Sequence, residues 1–226
     1  MKKTISLFTI LLAFSLSTQA QELSTSVEQK PAVEAPKFKA NFNSCYYNFE
    51  GTNASETADA DYSFDDATLY LQLMSLQYQL TPRVTLQVVG QYLDNYVETK
   101  MFSTVYKDRS KGFGDTFVSA ITPLYAESSF MVLGDLGVSL PTGDINQKNE
   151  NIPGDKNLAY NMQNGSGTVD TVAGLTALSF QGPVQLGSHL TVILRNGTNA
   201  NNYTLGNLYR ADVWADYTTK WGVTPR

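Results

Sequence analysis

The chain has 226 residues, 42% of them hydrophobic and 12% aromatic, with 13 Tyr, a single Cys and a formal net charge of −5. That acidity argues against a nucleic-acid partner, which needs clustered Lys and Arg, and one cysteine excludes an internal disulfide framework. Beyond the N-terminal leader no apolar run approaches the ~20 residues of a membrane helix.

Residues 1–20 have the layout of an export signal. Lys2 and Lys3 precede an apolar stretch over 7–16 that only Thr9 and Ser15 interrupt, and Thr18-Gln19-Ala20 offers small residues at a cleavage site before Gln21. The apolar stretch is too short to span a bilayer as a helix. Cys45 lies far from that site, so a lipid-attached N-terminus is not expected. After cleavage the balance is 14 Lys+Arg (16 less Lys2 and Lys3) against 21 Asp+Glu, about −7 with His189 neutral. Roughly 200 mature residues fit one domain. An exported, Tyr-rich, acidic chain with alternating apolar residues suits a transmembrane β-barrel, and composition leaves a periplasmic β-sandwich equally open.

Residues 21–36 carry Ser, Glu, Lys and two prolines without periodicity and read as a flexible tail. The β-barrel domain is expected over 37–226. Its first strand is predicted at 38–50, with aromatics on both parities. Residues 51–65 are polar and acidic, and Asp59, Asp61, Asp65 and Asp66 lie close together. They read as a solvated loop, because the Gly and Glu of a calcium loop are not at the required spacing. A second strand is predicted at 67–80. Its apolar parity flips near Met74, from Leu69, Leu71 and Leu73 to Leu76, Tyr78 and Leu80, which predicts a β-bulge.

Thr81-Pro82-Arg83 reads as a tight turn into a third strand at 84–97, where Val84, Leu86, Val88, Tyr92 and Tyr96 alternate with Thr85, Gln87, Gln91 and Asn95. Residues 98–110 read as a polar loop. A hairpin follows, with strands at 116–124 and 130–140 about a short turn. In its second strand Phe130, Val132, Leu136, Val138 and Leu140 share one parity, while Asp135, Gly137 and Ser139 share the other. Pro141 ends the ladder and Thr-Gly-Asp opens the longest loop, 144–168. Further strands are predicted at 169–180, 189–196 and 207–220. In the last, Tyr209, Ala211, Val213, Ala215 and Tyr217 alternate with Leu208, Arg210, Asp212, Trp214 and Asp216.

Connections after the first, third, fifth and seventh strands are long, and those after the second, fourth and sixth are short. This segregation is that of an antiparallel up-and-down outer-membrane barrel, and it favours the barrel over the sandwich, with about eight strands in view. Residues 221–226, WGVTPR, repeat the Leu80-Thr81-Pro82-Arg83 turn. On that analogy further strands are expected after Arg226, ten or twelve in all.

Three patches carry a family resemblance: residues 111–115 (KGFGD), 136–144 (LGVSLPTGD) and 162–170 (MQNGSGTVD). In that order the chain resembles the Gram-negative outer-membrane β-barrel family described as "MetA-pathway of phenol degradation" proteins, whose members are called transporters. The resemblance covers about 66–180. It implies an outer-membrane location and passage of small solutes, hydrophobic or aromatic ones among them, and it brings no catalytic, cofactor or metal residues. Relatives often have a Met-rich first strand; here Cys45-Tyr46-Tyr47-Asn48-Phe49 stands there, so a copper role has no support.

His189 is the sole histidine, which leaves neither a His-based metal cluster nor a spare triad partner. It starts the seventh predicted strand, where an interfacial place is expected. Cys45 reads as structural. Gly165-Ser166-Gly167 lacks the pattern of a nucleophile elbow or a phosphate loop and reads as a flexible loop. Asp115 and Asp144 read as turn caps. With apolar rows facing lipid, Gln87, Gln91, Asn95, Asp135, Arg210, Asp212 and Asp216 point into the lumen, because a lipid-facing Arg or Lys costs about 2–4 kcal/mol at mid-membrane. They form either a network filling a narrow barrel or the lining of a solute pathway. The reading is a monomeric, non-enzymatic channel whose partners are membrane lipid and a small solute. The alternative is a closed-lumen structural or adhesive barrel acting through its outer loops.

Overall fold

A computed structural model of the chain describes residues 37–50, 62–101, 104–149 and 157–218. The expected signal (1–20), the tail (21–36), most of the acidic loop and the terminal 219–226 turn lie outside them. The described chain is a meander of antiparallel strands: β1 (Phe38–Glu50), β2 (Tyr62–Thr81), β3 (Val84–Met101), β4 (Thr104–Phe113), β5 (Thr116–Ala126), β6 (Phe130–Leu140), β7 (Asp170–Gln181), β8 (Val184–Leu194) and β9 (Leu208–Tyr217). Sequential neighbours pair except β4 and β5, which both pair β3. The result is an all-β sheet curled into a half-barrel, with β1 and β9 each paired along one side among the described residues.

β4 and β5 behave as one interrupted strand. β4 pairs the upper part of β3, from Tyr92↔Phe113 to Met101↔Thr104, and β5 pairs the lower part, from Thr85↔Ile121 to Val89↔Phe117. Between them the Gly114 N–H still donates to the Gln91 carbonyl at 2.9 Å. A Cβ at Gly114 would run into the Gln91 side chain, so glycine is what lets the chain cross there. Eight ladder positions therefore match the expected eight strands, but residues 104–113 are strand rather than loop. They extend the β2–β3–β4 wall well past the other strands.

Apart from β3 and β4, which are only two residues apart in sequence, the connections among the described strands sort by end. β2–β3, β5–β6 and β7–β8 close through short turns, the last a two-residue Gly182-Pro183 turn with Gly182 at φ +61. The β6–β7 and β8–β9 connections are long and lie at the other end, hereafter the outer end; the described part of the first holds a 3-10 turn, Tyr160–Met162.

The sheet's polarity is inverted relative to a soluble sandwich. Its convex face exposes Phe42, Leu76, Leu80, Leu124, Leu136 and Val213, while the concave face buries Gln77, Gln87, Gln91, Thr176, His189 and Asp216. On β9, Val213 is 84% exposed and Asp216, three residues on, is 2% exposed. The apolar convex band has a definite upper edge. On β3 the outward row Val84, Leu86, Val88, Gly90 and Tyr92 gives way to Asp94, Tyr96 and Glu98, a length matching the ~9–11 residues of a tilted membrane strand.

That edge explains the parity change on β2, and no bulge is present at Met74. Register runs unbroken from Asp66↔Glu98 to Gln79↔Thr85, with irregularities only at Phe64/Asp66 and Gln79/Thr81. The strand keeps its facing while its leucines change sides. Leu69, Leu71 and Leu73 point inward in a cluster that straddles the edge, with Val89, Leu93, Cys45, Tyr47 and Phe117. Below it, Leu76 and Leu80 point outward and Ser75 and Gln77 inward. A second inward apolar cluster of Met131, Leu133 and Leu178, with Ile121, Phe180 and Trp214, sits at the short-turn end. The inward row of β6 is thus apolar at its start and polar from Asp135 on.

Candidate functional site

The concave face carries two polar groups of residues. The first is a column on β3: Gln87, Gln91 and Asn95 are all inward and buried, and the Asn95 amide donates to Ser110 Oγ at 3.2 Å. Gln77 and Ser75 extend it onto β2. The side-chain nitrogens of Gln77, Gln87 and Gln91 have no hydrogen-bond partner among the described residues.

The second group spans β6 to β9 on two adjacent rungs. One rung aligns Asp135, Gly174, Thr191 and Arg210; the next aligns Leu133, Thr176, His189 and Asp212. Gly174 is required there, because a Cβ would enter the space of the Asp135 carboxylate. Arg210 and Asp212 pair at 2.5 Å, which lets opposite charges share a desolvated face. Asp216 is buried on the same face at the short-turn end, in register with Gln185. All seven residues anticipated as lumen-facing therefore lie on the concave face. Arg210 and Asp212 are brought together, Asp135 lies on the Arg210 rung but three strands away, the β3 column stands apart, and Asp216 lies below.

His189 is not interfacial. β8 starts at Val184, which puts His189 mid-strand and 2% exposed, with Nδ1 2.8 Å from Thr176 Oγ1. Thr176, Thr191, Ser75 and Gln77 were missed by the sequence reading. Strand parity from Asp135 through the paired strands is the signal that finds them.

The three motif patches meet at the outer rim. The Asp115 carboxylate, 4% exposed, accepts the backbone N–H of Gly143 at 3.1 Å and that of Ser166 at 2.8 Å. The Thr142 hydroxyl donates to the Gly114 carbonyl at 3.0 Å, and the N–H groups of Asn164 and Gly165 both donate to the Asp144 carbonyl at 3.1 Å. Gly143 and Gly165 pass backbone to backbone, with no room for a Cβ on either. So Gly165-Ser166-Gly167 is a packed crossing rather than a flexible loop. Asp144 does cap its own turn, accepting the Asn146 N–H at 2.8 Å, whereas Asp115 ties two remote segments to its strand.

The latch extends outward. Asp170, fully buried, is ion-paired with Arg195, and its other oxygen accepts the Asn196 N–H at 3.1 Å. The Asn199 amide donates to the Ser166 carbonyl at 3.1 Å, and Tyr160 stacks on Tyr203 with ring centroids 3.4 Å apart. Asn149 donates to Asp108 on β4, whose carboxyl is raised by burial against the lowering effect of that amide. The β6–β7 and β8–β9 connections thereby form one hydrogen-bonded cap held to β4. Among the described residues no group of three or more His, Cys, Asp or Glu could hold a metal ion.

Among curated proteins none matches the chain. A family match covers residues 50–225, the described strands β2 to β9 and the whole of the rim latch. With the motif patches converging as they do within that span, the chain belongs to the family described as "Putative MetA-pathway of phenol degradation".

Proposed function

We propose that the protein lies in the bacterial outer membrane with its convex face against lipid, and is a monomeric, non-enzymatic passive channel for small solutes, hydrophobic or aromatic ones included. The observation that carries this is the inverted polarity, condensed in exposed Val213 and buried Asp216 on one strand. In water the convex row would forfeit about 25 cal/mol per Å² of apolar surface; against acyl chains it forfeits nothing. Polar atoms such as Gln87 Nε2 and Thr191 Oγ1, without partners among the described residues, each cost roughly 1–3 kcal/mol when left so. A hydrated passage removes that cost. The segregation of short turns from long connections agrees with a barrel that has one periplasmic and one outer end. The absence of enzymatic activity is supported by the placing of the single His189: it and Thr176 face inward, away from the acyl chains a membrane lipid hydrolase attacks.

The test starts with heat-modifiability of the full-length protein from isolated outer membranes. A folded barrel resists SDS unheated and changes apparent size on boiling. Planar-bilayer conductance and liposome swelling with small solutes then follow. Absence of a heat shift with recovery from the soluble periplasm sinks the membrane reading; a heat shift without conductance or swelling sinks the channel.

The rim latch favours a second reading, a barrel with a closed lumen acting through its outer loops. The buried apolar packing of Leu69, Leu71 and Leu93 beneath that cap agrees with it. Loop deletions that abolish a binding phenotype while leaving permeability unchanged would establish this reading in place of the channel.

A further inference from the structure

On the convex face of β1 to β4, just above the apolar band, the wall changes chemistry. The rung at the band's edge holds Ser44, Gln72, Tyr92 and Phe113, with Tyr92 and Phe113 in edge contact at 5.3 Å. The next rung holds Tyr46, Tyr70, Asp94 and Lys111, and the one above holds Asn48, Thr68, Tyr96 and Arg109. Tyr46, Thr68, Tyr70, Asp94, Tyr96 and Arg109 line an open hollow of about 280 Å³ on this wall. Arg109 donates to both Asp94 oxygens, at 2.8 and 2.7 Å, and the Lys111 ammonium is 3.6 Å from the same carboxylate. Two cations thus share one carboxylate, and both stay more than half exposed, at 60% and 56%. Asp94 and Arg109 offset each other within the hollow and Lys111 beside it adds one positive charge, while the rung above sets Asp66 and Glu98 against Lys107.

We infer that this hollow is a binding site for the phosphorylated sugar headgroup of the outer-leaflet glycolipid, lipopolysaccharide. The inference rests on the outer-membrane reading above, which sets the hollow at headgroup height. The chemistry of each part fits. Tyrosine rings offer flat platforms for sugar faces and hydroxyls for sugar oxygens. Arg109, oriented by Asp94, and the loosely held Lys111 present N–H groups to a phosphate. Phe113 and Tyr92 below mark where acyl chains give way to headgroups. Higher up, Lys107 is taken by Glu98 at 3.3 Å, so Lys111 and Arg109 are the cations of this wall that stand nearest the apolar band.

The experiment uses the folded full-length protein in detergent and measures bound lipopolysaccharide, the same glycolipid after enzymatic dephosphorylation, and free glucose 1-phosphate as competitor. Arg109→Ala with Lys111→Ala is expected to lower lipopolysaccharide binding about five- to thirtyfold, as two partly exposed charge contacts allow. Asp94→Asn, which frees both cations, is expected to hold or raise it. Unchanged binding by the double variant overturns the site, as does equal binding of dephosphorylated lipid or a matching loss in Asp94→Asn. Competition by free sugar phosphate at equal affinity overturns the lipid as occupant. The heat shift separates the two readings: a wild type that shifts on boiling but binds no phosphorylated lipid removes this site alone, and one that does not shift removes the membrane reading too.

Discussion

The Asp115 side chain and the backbone N–H of Ser166 meet at 2.8 Å across 51 residues of chain, inside a rim where Asp115 is 4% exposed. With Gly143 as its second donor, at 3.1 Å, one carboxylate fixes the entry and the exit of the longest connection. Asp115→Ala leaves the buried Ser166 N–H and the part-buried Gly143 N–H without acceptors and should cost about 1–3 kcal/mol. Asp115→Asn keeps an acceptor and should cost less. Urea unfolding of the detergent-folded barrel, with limited proteolysis of residues 141–169, checks both: early nicking of that segment is expected in the alanine variant.

Gly187 faces the Trp214 indole across the β8–β9 ladder so closely that a Cβ would overlap the ring. Gly187→Ala should cost about 1–3 kcal/mol through overpacking, read as a lower urea midpoint and altered tryptophan emission. Combined with Trp214→Leu the penalty should shrink, because the smaller partner relieves the clash; a fully additive pair would show that the overlap is relieved some other way.

Sequence alternation located most strands, since the exposed faces of β6 and β9 stay apolar along the strand even where their inward rows mix apolar and polar residues. It misjudged β2 because alternation assumes a single pair of environments, and on β2 the apolar row changes face along the strand. Its leucines accordingly move from the outer to the inner face at Met74, with no change in backbone register. Residues 98–110 read as a loop because they carry Glu98, Lys107 and Arg109 among polar neighbours, yet 98–101 end β3 and 104–110 belong to β4. The inward polar rows were legible from parity. The latch was not: Asp115 acts over separations of 28 and 51 residues, and nothing local to Gly-Asp or Gly-Ser-Gly states that they touch.

Arg109, hydrogen-bonded to Asp94, holds that carboxyl below its ordinary 3.8 despite the opposing effect of partial burial. A folded-state value below the unfolded one gives stabilisation that is present above pH ~3.8 and fades as pH falls through the folded value. The pair is partly exposed, so screening limits it to no more than about 1 kcal/mol. Hydrogen exchange of the β3–β4 rungs, corrected for intrinsic rate, should show protection falling on acidification below pH ~4. In Asp94→Asn only the smaller loss tied to Glu98 should remain, since its carboxyl is lowered by Tyr96 and Lys107. Equal pH profiles in the two proteins would mean the Asp94–Arg109 pair does not hold the hairpin.

The concave face between β6 and β9 sets Asp135, Asp212 and Asp216 against Arg210, with Arg210 and Asp212 paired. If ions pass along this face, the remaining carboxylates favour cations over anions. Removing one unit charge at partly desolvated positions alters local ion free energy by on the order of 0.5–1 kcal/mol. Asp135→Asn or Asp216→Asn should therefore lower the cation-to-anion permeability ratio roughly two- to fivefold. Arg210→Gln should leave Asp212 unpaired and push the ratio the other way, at a cost in stability. Reversal potentials in planar bilayers under a salt gradient read both directions at once. Opposite shifts place the conduction path on the β6–β9 face, whereas identical reversal potentials in all variants place it against other strands and leave Arg210 and Asp212 as internal braces of the barrel wall.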